Sequence, residues 1–71
     1  MRIREAIWLW LRTQDGATCR EIAQALGLNE NTVRPRLREL EGSAPWALHL
    51  QTRIIRTTER RHGMRIYVAK G

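Results

Sequence analysis

Residues 18–41, TCREIAQALGLNENTVRPRLRELE, constrain the fold of this chain more than any other stretch. They read as two short helices joined by a tight turn. Thr18 can cap the first helix, and Glu21 three residues later supplies the other half of a capping box. Ile22, Ala25 and Leu26 fall on one helical face. Gly27 then ends the helix where a left-handed residue is cheapest. Leu28 plugs the turn, and Asn29 is a good cap for a second helix over 30–41. In that helix Val33, Leu37 and Leu40 recur at i, i+4 and i+7 as one apolar stripe. Pro35 lies inside it and cannot donate to the carbonyl of Asn31. Either the helix bends there, or it tolerates an early proline without a bend.

The chain has 71 residues, which bounds it to one domain, 1–71, with one small core. Thirteen basic and seven acidic residues give a net charge of +6, and arginine supplies 12 of the 13 cations. A small basic domain favours nucleic acid, although an acidic protein or an anionic membrane would attract it too. Arginine in particular makes forked contacts to phosphate and to guanine edges. Cys19 is the only cysteine, which excludes an internal disulfide and suits a reducing compartment. Cys19 would open the helix that starts at Thr18. A helix N-terminus beside Arg20 could activate its thiol, but no resolving cysteine accompanies it, and a small buried residue is the simpler reading. Arg2 and Arg4 precede only a short mixed segment with no small-residue cleavage site, so no export signal is read. No apolar run approaches the roughly 18 residues of a membrane span. The expected location is the cytoplasm.

Residues 2–12, RIREAIWLWLR, predict another helix, with Ile3, Ala6, Ile7, Trp10 and Leu11 in a wide apolar stripe. Trp8 and Leu9 lie on its two flanks. One reading makes both core or core edge. The other exposes Trp8 as the anchor of a homodimer. Thr13 to Ala17 is a turn marked by Asp15-Gly16. After Glu41, Gly42-Ser43-Ala44-Pro45 breaks the helical pattern. Residues 52–57 and 64–69 are β-rich and mostly alternate, which predicts a β-hairpin with TERRHG, 58–63, as its basic tip. Ile54, Ile66 and Val68 are its expected core-facing residues.

Two short amphipathic helices at this separation make a helix-turn-helix. Glu21-Ile22-Ala23, Leu26-Gly27-Leu28, the cap at Asn29, Thr32-Val33, and Leu37 with Leu40 resemble winged-helix DNA-binding proteins, including small bacterial and phage transcriptional regulators. The run RPRLRELE, with its internal proline, is similar to PadR-like regulators, and the helix-turn-helix also resembles that of MarR-like ones. The resemblance implies an α+β winged helix-turn-helix: three helices followed by a two-stranded β-hairpin wing. It also implies double-stranded DNA as partner, with helix 30–41 in the major groove and the 58–63 tip on the backbone or in the minor groove. The segment SAPWALHLQ, 43–51, departs from the family pattern, which passes straight into a strand. It would form either a short helical turn capped by Ser43 or an irregular loop over the core, with Trp46 packed inward among apolar neighbours.

With Val33, Leu37 and Leu40 inward, 100° per residue puts Asn31, Arg34, Pro35 and Arg38 outward, with Thr32 at the edge. Asn31, Arg34 and Arg38 are the candidates for base edges. Asn29, Thr32, Arg36, Arg60, Arg61 and His62 are the candidates for phosphate contact, which positions without specifying. Catalysis is not expected. The acidic residues form no spaced acid–base pair, His49 and His62 lack partners at metal-ligand spacing, and Ser43 has no triad context. Gly27 and Gly42 belong to no phosphate loop. No cofactor is implied. Two rivals share the fold: a winged-helix protein–protein adaptor and a module for structured RNA. An adaptor has no need for arginines on both the second helix and the hairpin tip.

Overall fold

The computed structural model describes residues 2–42 and 53–70. The order is α1 (Ile3–Leu11), α2 (Cys19–Leu26), α3 (Glu30–Glu41), β1 (Ile54–Arg61) and β2 (Met64–Ala69). This is an α+β fold of three helices followed by a two-stranded antiparallel hairpin, consistent with a winged helix-turn-helix. No helix among the described residues is long and apolar enough to cross a membrane. Segment 43–51, with Trp46, lies outside the described residues.

Helix ends follow the local chemistry. The Glu21 amide donates to Thr18 Oγ1 at 3.2 Å, and the Thr18 amide donates to Glu21 Oε1 at 2.8 Å. Both halves of the capping box are therefore made. At the other end Gly27 takes φ 66°, and the Leu28 amide reaches back to the Ala23 carbonyl at 2.8 Å. That 6→1 bond is the mark of a Schellman ending. Asn29 Oδ1 accepts from the Asn31 amide at 2.8 Å and starts α3. Gly42, at φ 74°, stops it. Pro35 removes one backbone donor, yet α3 is unbroken from Glu30 to Glu41. Its ring is exposed, so it meets no neighbour in the core.

The core joins all five elements. Ile7 and Leu11 of α1, Ile22 of α2, Val33 and Leu37 of α3 and Ile54 of β1 are essentially inaccessible, with Leu40 close behind. Ala6 and Trp10 are half-buried, while Ile3 is 38% exposed at the rim rather than within the stripe. Trp8 is half-buried and engaged within the chain. Arg12 and Arg53 lie over its ring at 4.7 and 5.0 Å, and its Nε1 donates to the Lys70 carbonyl at 3.4 Å. The reading of Trp8 as a bare anchor is thereby corrected. Arg53, which follows residues 43–52 in the chain, closes over it.

The hairpin departs from expectation in three ways. First, β1 runs through Arg61, so 58–61 are strand and the tip is only His62-Gly63, both at positive φ (53° and 77°). Two central residues with positive φ match a type I′ turn, whose twist suits antiparallel strands. Second, the register shifts between Arg56↔Tyr67 and Arg60↔Arg65, leaving 57–59 opposite Ile66. Thr57 fills the gap: its hydroxyl donates to the Ile66 carbonyl at 2.8 Å and accepts from the Glu59 amide at 3.2 Å. Such a bulge re-aims the side chains beyond it. Third, Ile54 and Ile66 are buried as expected, but Val68 is only half-buried and pairs with the exposed Ile55. Tyr67 and Ala69 pack against the core instead.

Ala17 is more than the end of a turn. Its amide donates to the Tyr67 carbonyl at 3.0 Å, and the Tyr67 amide donates back at 2.8 Å. This single bridge fastens the hairpin to the segment that leads into α2. Gly16 makes the approach feasible. It sits at φ +112°, and a Cβ there would lie 2.8 Å from Ile66 Cγ2. Gly16→Ala should therefore destabilise the fold by about 1–3 kcal/mol through backbone strain and contact with Ile66. Urea denaturation followed by circular dichroism will measure it; an unchanged midpoint would mean that the bridge does not depend on this close approach.

Candidate nucleic-acid interface

The outward side of α3 is set by what the helix buries. Val33, Leu37 and Leu40 face inward, and Asn31, Thr32, Arg34, Pro35 and Arg38 are exposed. Near the helix start these residues interact with one another. Arg34 Nη1 donates to Asn31 Oδ1 at 3.4 Å, and its Nη2 lies 3.8 Å from Glu30, one turn earlier. Glu30 also pairs with Arg20 of α2 at 3.6 Å. Asn29 is exposed at the cap. Asn31, Arg34, Glu30 and Arg20 thus share one connected polar cluster at this end.

Arg36 is set differently. It is half-buried, and its Nε lies 2.9 Å from Oε2 of Glu39, three residues later in the same helix. Glu39 is 2% exposed. Arg4 of α1 approaches the same oxygen at 3.9 Å. Arg4 is beyond hydrogen-bond reach and Arg36 makes no hydrogen bond there, so Oε2 has nearby positive charge without a directed donor. A buried carboxylate requires that compensation. Arg36 is therefore first a partner of Glu39, the carboxylate that Arg4 approaches from α1. Periodicity did not single out Glu39, because a glutamate between Arg38 and Leu40 looks like ordinary helix surface.

The hairpin cations divide as well. Arg60 and His62 are exposed, and Arg60 Nη1 donates to the Gly63 carbonyl at 3.4 Å across the turn. Arg61 reaches back instead. Its Nη1 lies 2.7 Å from both carboxylate oxygens of Glu21 at the start of α2. Glu21 was legible as a capping residue but not as the partner of a hairpin arginine forty positions later. Its carboxyl is held below the usual glutamate range, first by the Arg61 bond and then by the Thr18 amide.

Cys19 opens α2 but is not an activated thiol. Burial pushes its pKa up, nearby Glu30 adds to that, and Arg34 only partly opposes them. Its Sγ donates weakly to the Glu30 carbonyl at 3.7 Å. Tyr67 is likewise pushed up, by burial and then by Glu41. Among the described residues no cluster of three His, Cys, Asp or Glu side chains is placed to hold a metal ion.

The pattern of the homeodomain-like domain family matches residues 1–46, which takes in α1, α2 and α3. The chain belongs to the homeodomain-like family. It carries a helix-turn-helix DNA-binding domain. The homeodomain-like match takes in the three helices and stops before β1. No curated protein and no solved structure matches this chain.

The Glu21–Arg61 pair has a pH signature. Glu21's folded pKa is depressed, so its contribution is present above the unfolded glutamate value, about 4.3, and is lost as pH falls through the lower folded value. Acid should therefore destabilise wild type more than Glu21→Gln below about pH 4.3. Thermal melts of both proteins at neutral and acid pH test this; parallel losses would show that Glu21 takes no part.

Proposed function

We propose that this chain is a sequence-reading binder of double-stranded DNA, acting in a transcriptional regulator of the small bacterial or phage kind in the cytoplasm. The observation that carries the reading is the two-sided character of α3. One side is locked into the core, and the other exposes Asn31, Thr32, Arg34 and Arg38 in the helix-turn-helix unit of a homeodomain-like chain. A helix so held can enter a major groove with a fixed rotation. Asn31, Arg34 and Arg38, all exposed, are the candidates for base-edge contact. Asn29 and Thr32 flank them and suit phosphate, as does the accessible part of Arg36. The hairpin serves as the wing, with Arg60 and His62 meeting the backbone. The resemblance of the RPRLRELE helix to PadR-like regulators, and of the helix-turn-helix to MarR-like ones, favours a regulatory role.

Selection of bound sequences from a random duplex library at near-physiological salt tests the reading directly. An enriched motif is the expected result. Affinity should fall with salt, with a log–log slope of about 0.9 per phosphate contacted. Failure to bind any duplex at low salt would redirect attention to a protein–protein adaptor or a structured-RNA module.

Arg38→Ala and Arg60→Ala should differ in kind. Loss of Arg38 should cost about 1–3 kcal/mol on the selected site and relax preference there. Loss of Arg60 should weaken all duplexes alike. Fluorescence anisotropy on selected and scrambled duplexes distinguishes the two; relaxed preference in Arg60→Ala alone would reverse the roles.

We also propose self-association through α1. Leu9 is 39% exposed on that helix, and so small a core gains from a partner. Sedimentation equilibrium should show a dimer that Leu9→Glu dissociates. A wild-type monomer at tens of micromolar would remove the dimer from the scheme.

A further inference from the structure

The Glu21 carboxylate acts in two places. Its Oε1 receives the Thr18 amide as part of the α2 cap, and both oxygens face Arg61 Nη1 at 2.7 Å. The pair ties the hairpin end to the helix that precedes α3. Arg60 and Arg61 are neighbours in a strand, so they point to opposite faces and only one can lie against α2. Arg60 stays presented to solvent, and Arg61 is taken up. The pair is open to water, with side chains 43% and 37% exposed. An ion pair so exposed is weak enough for a phosphate in the right place to displace it. In a non-specific encounter α3 is not seated in the groove, so no phosphate is held at that place.

We propose that Glu21 is a specificity-determining residue: it holds Arg61 against α2 in the free protein and in non-specific encounters, and yields it to a backbone phosphate only when α3 is seated. This rests on the DNA-binding function proposed above. The consequence follows from how non-specific binding arises. That binding is almost wholly phosphate neutralisation, so each cation withheld weakens it and flattens its salt dependence. A correctly seated complex recovers the contact. The ratio between the two rises without any additional base contact.

Glu21→Gln tests the idea because glutamine also serves the capping box, so α2 keeps its start. The probe is a labelled random-sequence duplex, titrated against wild type, E21Q, R61A and the double variant. E21Q should bind it several-fold tighter, with a log–log salt slope steeper by about 0.9, one phosphate contact. The gain should vanish in the double variant, which should bind like R61A. On a selected site E21Q should change affinity less, so its specificity ratio should fall. An unchanged slope in E21Q, or an equal gain in the double variant, would overturn the proposal, the latter because bulk charge alone would then explain it. Absence of duplex binding by wild type would overturn the DNA-binding function and this proposal with it. Wild-type binding with no Arg61-dependent gain overturns this one alone. Should E21Q fail to fold, the Arg61 side-chain nitrogen resonances of wild type decide. They should stay in place with random duplex and shift with a selected one; equal shifts with both would overturn the proposal.

Discussion

The rotation of α3 about its own axis is the constraint on which the rest of this structure depends. Val33, Leu37 and Leu40 recur on one side and are buried against Ile7, Leu11, Ile22 and Ile54. Turning the helix by even one residue, about 100°, would expose part of that stripe and bury Arg34 or Arg38. Neither exchange is tolerable in a core this small, where every buried side chain is a large share of the total. The ends are pinned too, by Asn29 at the start and Gly42 at the stop. Burial therefore determines which side chains face outward, and the proposed function draws only on what burial leaves there.

Charge refines this arrangement without setting it. Among the described residues, Glu5, Glu21, Glu30, Glu39 and Glu41 each pair with at least one arginine. Most of these pairs are partly open to water and contribute little stability individually. Their effect is on placement. Glu39 draws Arg36 and Arg4 together between α3 and α1, Glu30 collects Arg20 and Arg34 at the α3 start, and Glu5 aligns Arg53 over Trp8. The net charge of +6 says nothing about where the cations lie or which of them are engaged within the chain.

Legibility in the sequence followed the range of the interaction. The capping box at Thr18, the left-handed Gly27 and the stripe of α3 were all readable, because each is fixed by neighbours within about one helical turn. The three-helix order and the existence of the hairpin were readable for the same reason. Arg61 against Glu21, Ala17 against Tyr67 and Arg53 over Trp8 were not, since each joins residues far apart in the chain whose separate local patterns are complete without the partner. The hairpin tip was misplaced because TERRHG is polar and contains glycine, the usual marks of a loop. Thr57 instead carries the strand through it by supplying the hydrogen bonds that the bulge would lose.

That bulge decides which arginine meets α2. Three residues of β1 stand opposite Ile66, two more than an unbroken ladder would place there. An even excess keeps Arg61 opposite Met64 and on the face it shares with Ile66, the side that closes over Gly16. An excess of one would set Arg60 opposite Met64 and send Arg61 to the other face, because a one-residue slip exchanges the faces of every side chain beyond it. The two arginines are identical in chemistry and adjacent in sequence. Their different environments come from a register set by Thr57, four residues before Arg61, and from the Ala17–Tyr67 bridge that fixes the position of β2. The separation of a presented cation from a withheld one is therefore a property of strand pairing, and the local sequence around Arg60 and Arg61 carries no sign of it.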